Sequence, residues 1–275
     1  MDKTRLPKWQ TNVPPQRTLL DSRAVVTEAY TVIPRGSMTD IVASRLPFWI
    51  NARAWILASP VPGFCATFSH YLMEVSPGGG SEIPDTEDDV QSVLFVTAGT
   101  LKLTLDGEEH TLECGSYVYM PPSAKWTLLN TGTNKAEFHW IRKPYQQVTG
   151  IGVPAAFVSH EEKVEPNYMP DCDESWSTKR FVDPDDLSHD MHVNIVSFKP
   201  GCVLPFLETH VMEHGLYVLE GKGVYNLNQD WVEVEAGDFM WLRAYCPQAC
   251  YAGGDGVFTY LLYKDVNRHM SFPAR

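Results

Sequence analysis

The clearest chemical signal lies in the last third of the chain. The run Glu208-Thr209-His210-Val211-Met212-Glu213-His214 is followed by Gly221 and then by Gly237-Asp238, and Gln248 stands eleven residues beyond Gly237. Residues two apart on a strand project to one side, so Glu208 and His210 share a face. His214, four beyond His210, falls where the next strand begins and can close on the same centre. Together they offer a carboxylate, two imidazoles and an amide oxygen, with no thiolate. Such a mixed oxygen and nitrogen set suits Mn2+, Fe2+ or a similar divalent ion better than a structural zinc. Two histidines four apart carry little by themselves. The preceding glutamate, and a polar residue at a fixed distance from a Gly-Asp turn, turn them into a ligand set. The competing reading is a hydrogen-bonded polar cluster at a barrel mouth.

An internal repeat tests that reading within the chain itself. The first half contains VLFVTAGTLKLTLDGEEHTLECGSYVYMPP and the second LYVLEGKGVYNLNQDWVEVEAGDFMWLRA. An offset of 122 sets Gly99 on Gly221, Asp106 on Asn228, Gly115 on Gly237 and Phe138 on Tyr260. Upstream, Pro77-Gly78 meets Pro200-Gly201 at an offset of 123, so one indel lies between. In the glycine register, Glu208, His210, His214 and Gln248 fall on Thr86, Asp88, Ser92 and Trp126. That first set cannot hold a transition metal, so the metal site belongs to the C-terminal copy alone. Tyr225 and Tyr260 replace Leu103 and Phe138, placing two hydroxyls only in the ligand-bearing copy. Lys264 replaces Arg142, exchanging a permanent cation for one whose pKa burial and a metal can lower.

These spacings resemble the cupin superfamily. Its first motif is G-x5-H-x-H-x3,4-E-x6-G, and Glu208-x-His210-x3-His214-x6-Gly221 is similar to it with Glu and His exchanged at the ends. Gln248 takes the histidine position of the second motif, and Gly115-x5-Pro121 keeps that motif's scaffold in the first copy. The resemblance implies an all-β bicupin, two jelly-roll β-barrels in tandem. The Glu-x-His-x3-His…Gln variant, with Gly221-x-Gly223-x-Tyr225-x-Leu227 and Tyr260-Leu-Leu-Tyr-Lys264-Asp-Val-Asn-Arg268, resembles the ureidoglycine aminohydrolase family of manganese bicupins. It implies release of ammonia from (S)-ureidoglycine to give (S)-ureidoglycolate in allantoin catabolism, with Mn2+ at the four ligands and Fe2+, Ni2+ or Zn2+ as substitutes. Lys264 is then expected as carboxylate clamp or proton shuttle and Tyr225 as hydrogen-bond donor and acid, with Tyr260 and Tyr217 near the substrate. One departure is the His192-Val193-Asn194 order, where the family carries Asn-x-His. His192 and Asn194 share a strand face and are candidate substrate contacts. Other classes stay open: an Fe-dependent dioxygenase, an isomerase, or a non-catalytic metabolite-binding cupin. The family also implies a homo-oligomer.

The elements that must position these residues are short strands, such as Val193–Phe198, Leu216–Leu219, Gly223–Leu227, Phe239–Leu242 and Val257–Tyr263, separated by turn signals like Asp106-Gly107 and Gly253-Gly254. Only Ala155–Glu162 and Asp183–Ser188 have a helical pattern, and it is faint. The expected layout is an N-terminal extension (1–60) packing on the barrels, a barrel without ligands (61–145), an acidic linker (146–188) and a metal-binding barrel (189–275). The remaining histidines (His70, His110, His139, His160, His189 and His269) read as surface or core. A net charge of −12 argues against nucleic acid and anionic membrane partners, which need a cationic footprint. No run approaches a membrane span, and MDKTRLPKWQTNVPPQ has no apolar core for export. The six cysteines form no CxxC pair and read as reduced thiols of a cytoplasmic protein.

Overall fold

The structure, a computed structural model, describes residues 23–61, 63–65 and 67–266. The family-like Asn267-Arg268 pair, His269 and the first 22 residues of the expected extension lie outside them. The first half holds β1 (Val25–Val26), β2 (Tyr30–Ile33), β3 (Ile50–Ala58), β4 (Ser69–Ser81), β5 (Val90–Ala98), β6 (Leu101–Leu105), β7 (Glu108–Leu112), β8 (Ser116–Met120), β9 (Trp126–Leu129) and β10 (Ala136–Pro144). The second holds β11 (Phe157–His160), β12 (Pro166–Tyr168), β13 (Trp176–Arg180), β14 (Met191–Phe198), β15 (His214–Glu220), β16 (Lys222–Leu227), β17 (Asp230–Glu235), β18 (Phe239–Leu242), β19 (Gln248–Ala252) and β20 (Phe258–Asp265). Among the described residues there is no α-helix, and none long and apolar enough to cross a membrane.

Both faintly helical stretches resolve differently. Phe157–His160 is a strand followed by one 3-10 turn, because its backbone pairs with β8. Residues 183–188 form turns in which Asp183 and Asp186 accept from the backbone N–H two residues on, at 2.9 Å each. Such side-chain acceptors compete with helical hydrogen bonds.

The repeat is physical. Gly99 and Gly221 both have φ of 78°, Gly115 and Gly237 have 92° and 96°, and Asp106 and Asn228 have 50° and 58°. Each copy therefore turns at the same places. At Gly221 a Cβ would lie 2.2 Å from the Val257 oxygen, so only glycine fits. Cross-strand registers repeat as well: Leu103 opposes Leu128 as Tyr225 opposes Cys250, and Leu105 opposes Trp126 as Leu227 opposes Gln248.

Some of the strands before each copy cross to the other one. β1 and β2 add to the C-terminal sheet through β18, while β11 adds to the N-terminal sheet through β8. Segment 166–180 is not mere linker, because β12 and β13 extend the C-terminal sheet beyond β14. Three apolar clusters follow from strand alternation. One fills the N-terminal barrel around Met73, Val96, Leu103, Phe138 and Trp140. A second fills the C-terminal barrel around Val196, Leu216, Val218, Tyr225 and Tyr260. The third lies between the barrels, joining Leu72, Phe95, Tyr117 and Ile141 to Val193, Ile195, Phe239 and Leu261.

Candidate active site

Strand pairing assembles one end of the C-terminal barrel. On β20, Lys264 lies opposite His192 of β14 on one side and His214 of β15 on the other. Two residues along, Leu262 lies opposite Asn194 and Leu216, and then Tyr260 opposite Val196 and Val218. Val196, Leu216, Val218 and Tyr260 belong to the barrel interior, so the whole face, including Lys264, His192, Asn194 and His214, points inward. On the opposite wall, Glu208 and Gln248 exchange two backbone hydrogen bonds of 2.9 Å, and Tyr225 pairs with Cys250.

The four expected ligands therefore gather at one barrel end. The Nε2 of His210 lies 3.1 Å from Oε1 of Glu208, and the His210 and His214 rings are 5.1 Å apart. Gln248 and His214 are buried, whereas Glu208 and His210 remain partly open to solvent. As they stand, no three His, Cys, Asp or Glu side chains among the described residues are grouped so that they could hold a metal ion. Glu208 and His210 satisfy each other instead. Parting that contact frees an oxygen and a nitrogen donor beside His214 and Gln248, and the donor types are those of a divalent-ion site.

Burial dominates the electrostatics. It holds His214 neutral, with a pKa lowered to about 3 by burial and then by His210 and Lys264, leaving its ring free to act as a ligand. His192 is lowered to about 4 by burial, Lys264 and other nearby cations, and its buried Nε2 has no hydrogen-bond partner. Lys264 is lowered by burial and by Arg180, with Glu208 opposing. Burial raises Tyr225 and Tyr260 well above the usual phenol range, so both stay protonated. Cys250 beside them is pushed up to about 12 by burial. The Tyr225 hydroxyl is buried without a partner in good hydrogen-bond geometry.

Tyr217 does not join this site. It lies on the alternate face of β15, in the cluster between the barrels, with its ring 4.2 Å from His139. Two residues escaped the sequence reading. Glu213, between the histidines, is buried and accepts from Thr67 N at 2.8 Å, Thr67 Oγ1 at 2.5 Å and Trp241 Nε1 at 2.6 Å. Its position inside the ligand run was the available signal. Arg180 ends β13 opposite Asn194, and nothing in its local sequence marked it.

The equivalent end of the N-terminal barrel is plugged. Trp49, Trp126 and Trp140 pack with ring centroids 5.7 to 6.4 Å apart, and only about 40 Å3 of space remains near Ser92 and Trp126. A surface groove of about 610 Å3 lies beside the C-terminal site rather than over it. Arg243–Pro247 line one wall, and Tyr245 N donates to the His210 carbonyl at 2.5 Å.

Comparison with known proteins agrees with this fold. The Cupin domain family matches residues 71–142 and 194–262. An (S)-ureidoglycine aminohydrolase of Escherichia coli (strain K12) is 32% identical, across 91% of this chain and 94% of its own. A probable (S)-ureidoglycine aminohydrolase of Oryza sativa subsp. japonica is 33% identical, across 82% of this chain and 71% of its own. Among solved structures, a putative glyoxylate induced protein from Pseudomonas aeruginosa is 59% identical with a TM-score of 0.88, covering 92% of this chain and 94% of that one.

Proposed function

We infer the function from one premise: this chain belongs to the cupin family and, within it, to the group of the (S)-ureidoglycine aminohydrolases. It is a hydrolase of C–N bonds. Its proposed reaction takes (S)-ureidoglycine and water to (S)-ureidoglycolate and ammonia. The observation that carries this reading is the gathering of Glu208, His210, His214 and Gln248 at one barrel end with Lys264 between His192 and His214.

The proposed cofactor is Mn2+ held by those four side chains, where it would supply Lewis acidity and fix the face of attack. The remaining chemistry belongs to the chain. Replacing the amine by water needs a proton delivered to the leaving nitrogen and a proton removed from water. Lys264, lowered by burial, is placed to exchange a proton or to hold the carboxylate. Tyr225, kept protonated, donates a hydrogen bond from the apolar wall. His192 and Asn194 face the same interior, where they would contact the substrate. The apolar lining of Val196, Leu216 and Val218 limits the water that can compete with these contacts.

The test is ammonia release from freshly generated (S)-ureidoglycine, with metal content measured on the same protein. Chelation should abolish release and Mn2+ should restore it. H210A and Q248A should lose bound metal and activity while keeping the fold. Full activity in metal-stripped protein would refute the metal reading. Oxygen uptake without ammonia would point instead to a dioxygenase.

A further inference from the structure

We propose that Arg180 is a substrate-carboxylate-binding residue of this site, supplied by the strand that leads into the second copy. The proposal rests on the aminohydrolase reading and adds a residue to it. On β13, Trp176, Thr178 and Arg180 lie opposite Phe198, Val196 and Asn194. Phe198 and Val196 are barrel-interior residues, and Trp176 stacks on Phe198 at 5.6 Å. Strand alternation therefore sends Arg180 into the same barrel end as His192, Asn194 and Lys264.

Its neighbours fix the strand there. Phe181 stacks on Tyr117 of the other barrel at 3.9 Å with rings 4° from parallel, and Lys179 Nζ donates to the Glu161 carbonyl at 2.8 Å. Arg23, Arg53 and Arg142 each have a carboxylate partner. Half-buried Arg180 has no carboxylate at ion-pair distance among the described residues. It also depresses the Lys264 pKa, as an unneutralised cation nearby must.

The repeat shows what is unusual here. Tyr71, opposite Trp140, occupies the place of Asn194 opposite Leu262, and its β3 partner is Ile56. Ile56 is thus the counterpart of Arg180. Arg142, the counterpart of Lys264, is bound by Asp85 at 2.6 and 2.9 Å and by Glu87 at 2.8 Å. The plugged barrel has one cation and two built-in carboxylates. The open one has two cations, and among the described residues no carboxylate is bonded to either. A guanidinium fork matches a planar carboxylate, which a point-charge ammonium does not. Arg180 holding the substrate carboxylate leaves Lys264 to move protons.

Binding of hydantoate, a ureido acid lacking the amine, isolates this contact. Calorimetry on the metal-loaded enzyme should show R180Q weakening hydantoate binding on the order of 10- to 100-fold, the range of a lost charge-assisted hydrogen bond. Affinity for its neutral primary amide should stay within twofold, and R180K should recover part of the loss. KM for ureidoglycine should rise in parallel with kcat changed little, and the thermal midpoint of R180Q should match the wild type. Equal hydantoate affinity in R180Q and wild type, with the wild type active, overturns the assignment. If the wild type binds hydantoate through Arg180 yet releases no ammonia, the aminohydrolase reading fails and the carboxylate contact stands.

Discussion

Glu213 is the point at which the first barrel grips the ligand run of the second, and E213A should expose that grip. The side chain is 4% exposed and lies next to His214. Its carboxylate accepts from Thr67 N, Thr67 Oγ1 and Trp241 Nε1, while its own N–H donates to Asp265 Oδ1 at 2.7 Å. Truncation leaves the Thr67 hydroxyl a partner in Tyr263 OH at 3.0 Å. It strands the Thr67 N–H and the Trp241 indole. Two buried donors without acceptors cost about 1–3 kcal/mol each, so E213A should lose about 2–6 kcal/mol. At about 2–4 °C per kcal/mol for a chain of this size, the melting midpoint should fall by at least about 4 °C. E213Q keeps one acceptor oxygen but turns an NH2 toward a donor, so it should fall between. Urea denaturation of metal-free wild type, E213Q and E213A measures this. Isothermal titration with Mn2+ then shows whether metal affinity drops in the same order. An E213A protein within about 0.5 kcal/mol of wild type would refute the reasoning, since that is the size of an inconsequential surface change.

Lys143 and Asp190 form a buried ion pair joining the barrels, with Asp190 also accepting from Gln91 Nε2 and from Gln146 N at 2.9 Å. K143M should cost about 3–5 kcal/mol by leaving a buried charge, and K143M/D190N should regain part of it in urea titrations; a loss under 1 kcal/mol in K143M would contradict this. His70 and His139 meet at 3.0 Å in full burial, which lowers His139 to about 3 and His70 well below its usual value. Because these folded values lie below the unfolded one of about 6.5, their share of stability is complete above that pH and is lost as pH falls. Denaturation midpoints should therefore drop between pH 7 and pH 4, and H139L, though weaker at pH 7.5, should show a shallower drop; an equal slope would count against it.

How much of this was legible in the sequence follows from what each feature depends on. The tandem all-β architecture was legible because turns at Gly99, Gly221, Gly115 and Gly237 demand left-handed backbone, and two sets of such turns at one offset mark two copies. The proposed ligand run could be picked out because it is local: Glu208 through His214 span one loop and one strand start. Parity sorted the rest. His192, Asn194, Tyr260 and Lys264 fall at even spacings on their strands and face inward with His214. Tyr217 is three residues from His214, an odd step, and turns toward the other barrel. Arg180 was illegible because its strand has no hydrophobic alternation to announce it. Only the pairing of β13 with β14 gives its side chain a direction. The exchange of β1–β2 and β11 between barrels was equally hidden, since it depends on which sheet edge each segment meets.

The duplicated fold also explains how an acidic protein can take an acidic substrate. With a net charge of −12, the long-range field opposes a carboxylate's approach. Most cations in ion pairs are spent on internal carboxylates: Arg23 on Asp238, Arg53 on Glu74, Lys143 on Asp190 and Arg142 on Asp85. In the N-terminal barrel this neutralisation is complete at the very place where the other barrel would bind a ligand, and tryptophans fill the remaining space. The C-terminal barrel differs in that, among the described residues, Lys264 and Arg180 have no such partners, and neutral His214 and His192 stand beside them. Attraction is thus confined to a few ångströms at one barrel end. There screening by salt is weak and a carboxylate already past the rim meets two cations. On the proposed reading the second copy becomes a site by lacking the carboxylates that neutralise Arg142 in the first, and the first copy contributes the wall on which Glu213, through Thr67, and Phe181, through Tyr117, hold the proposed ligand run and Arg180 in place.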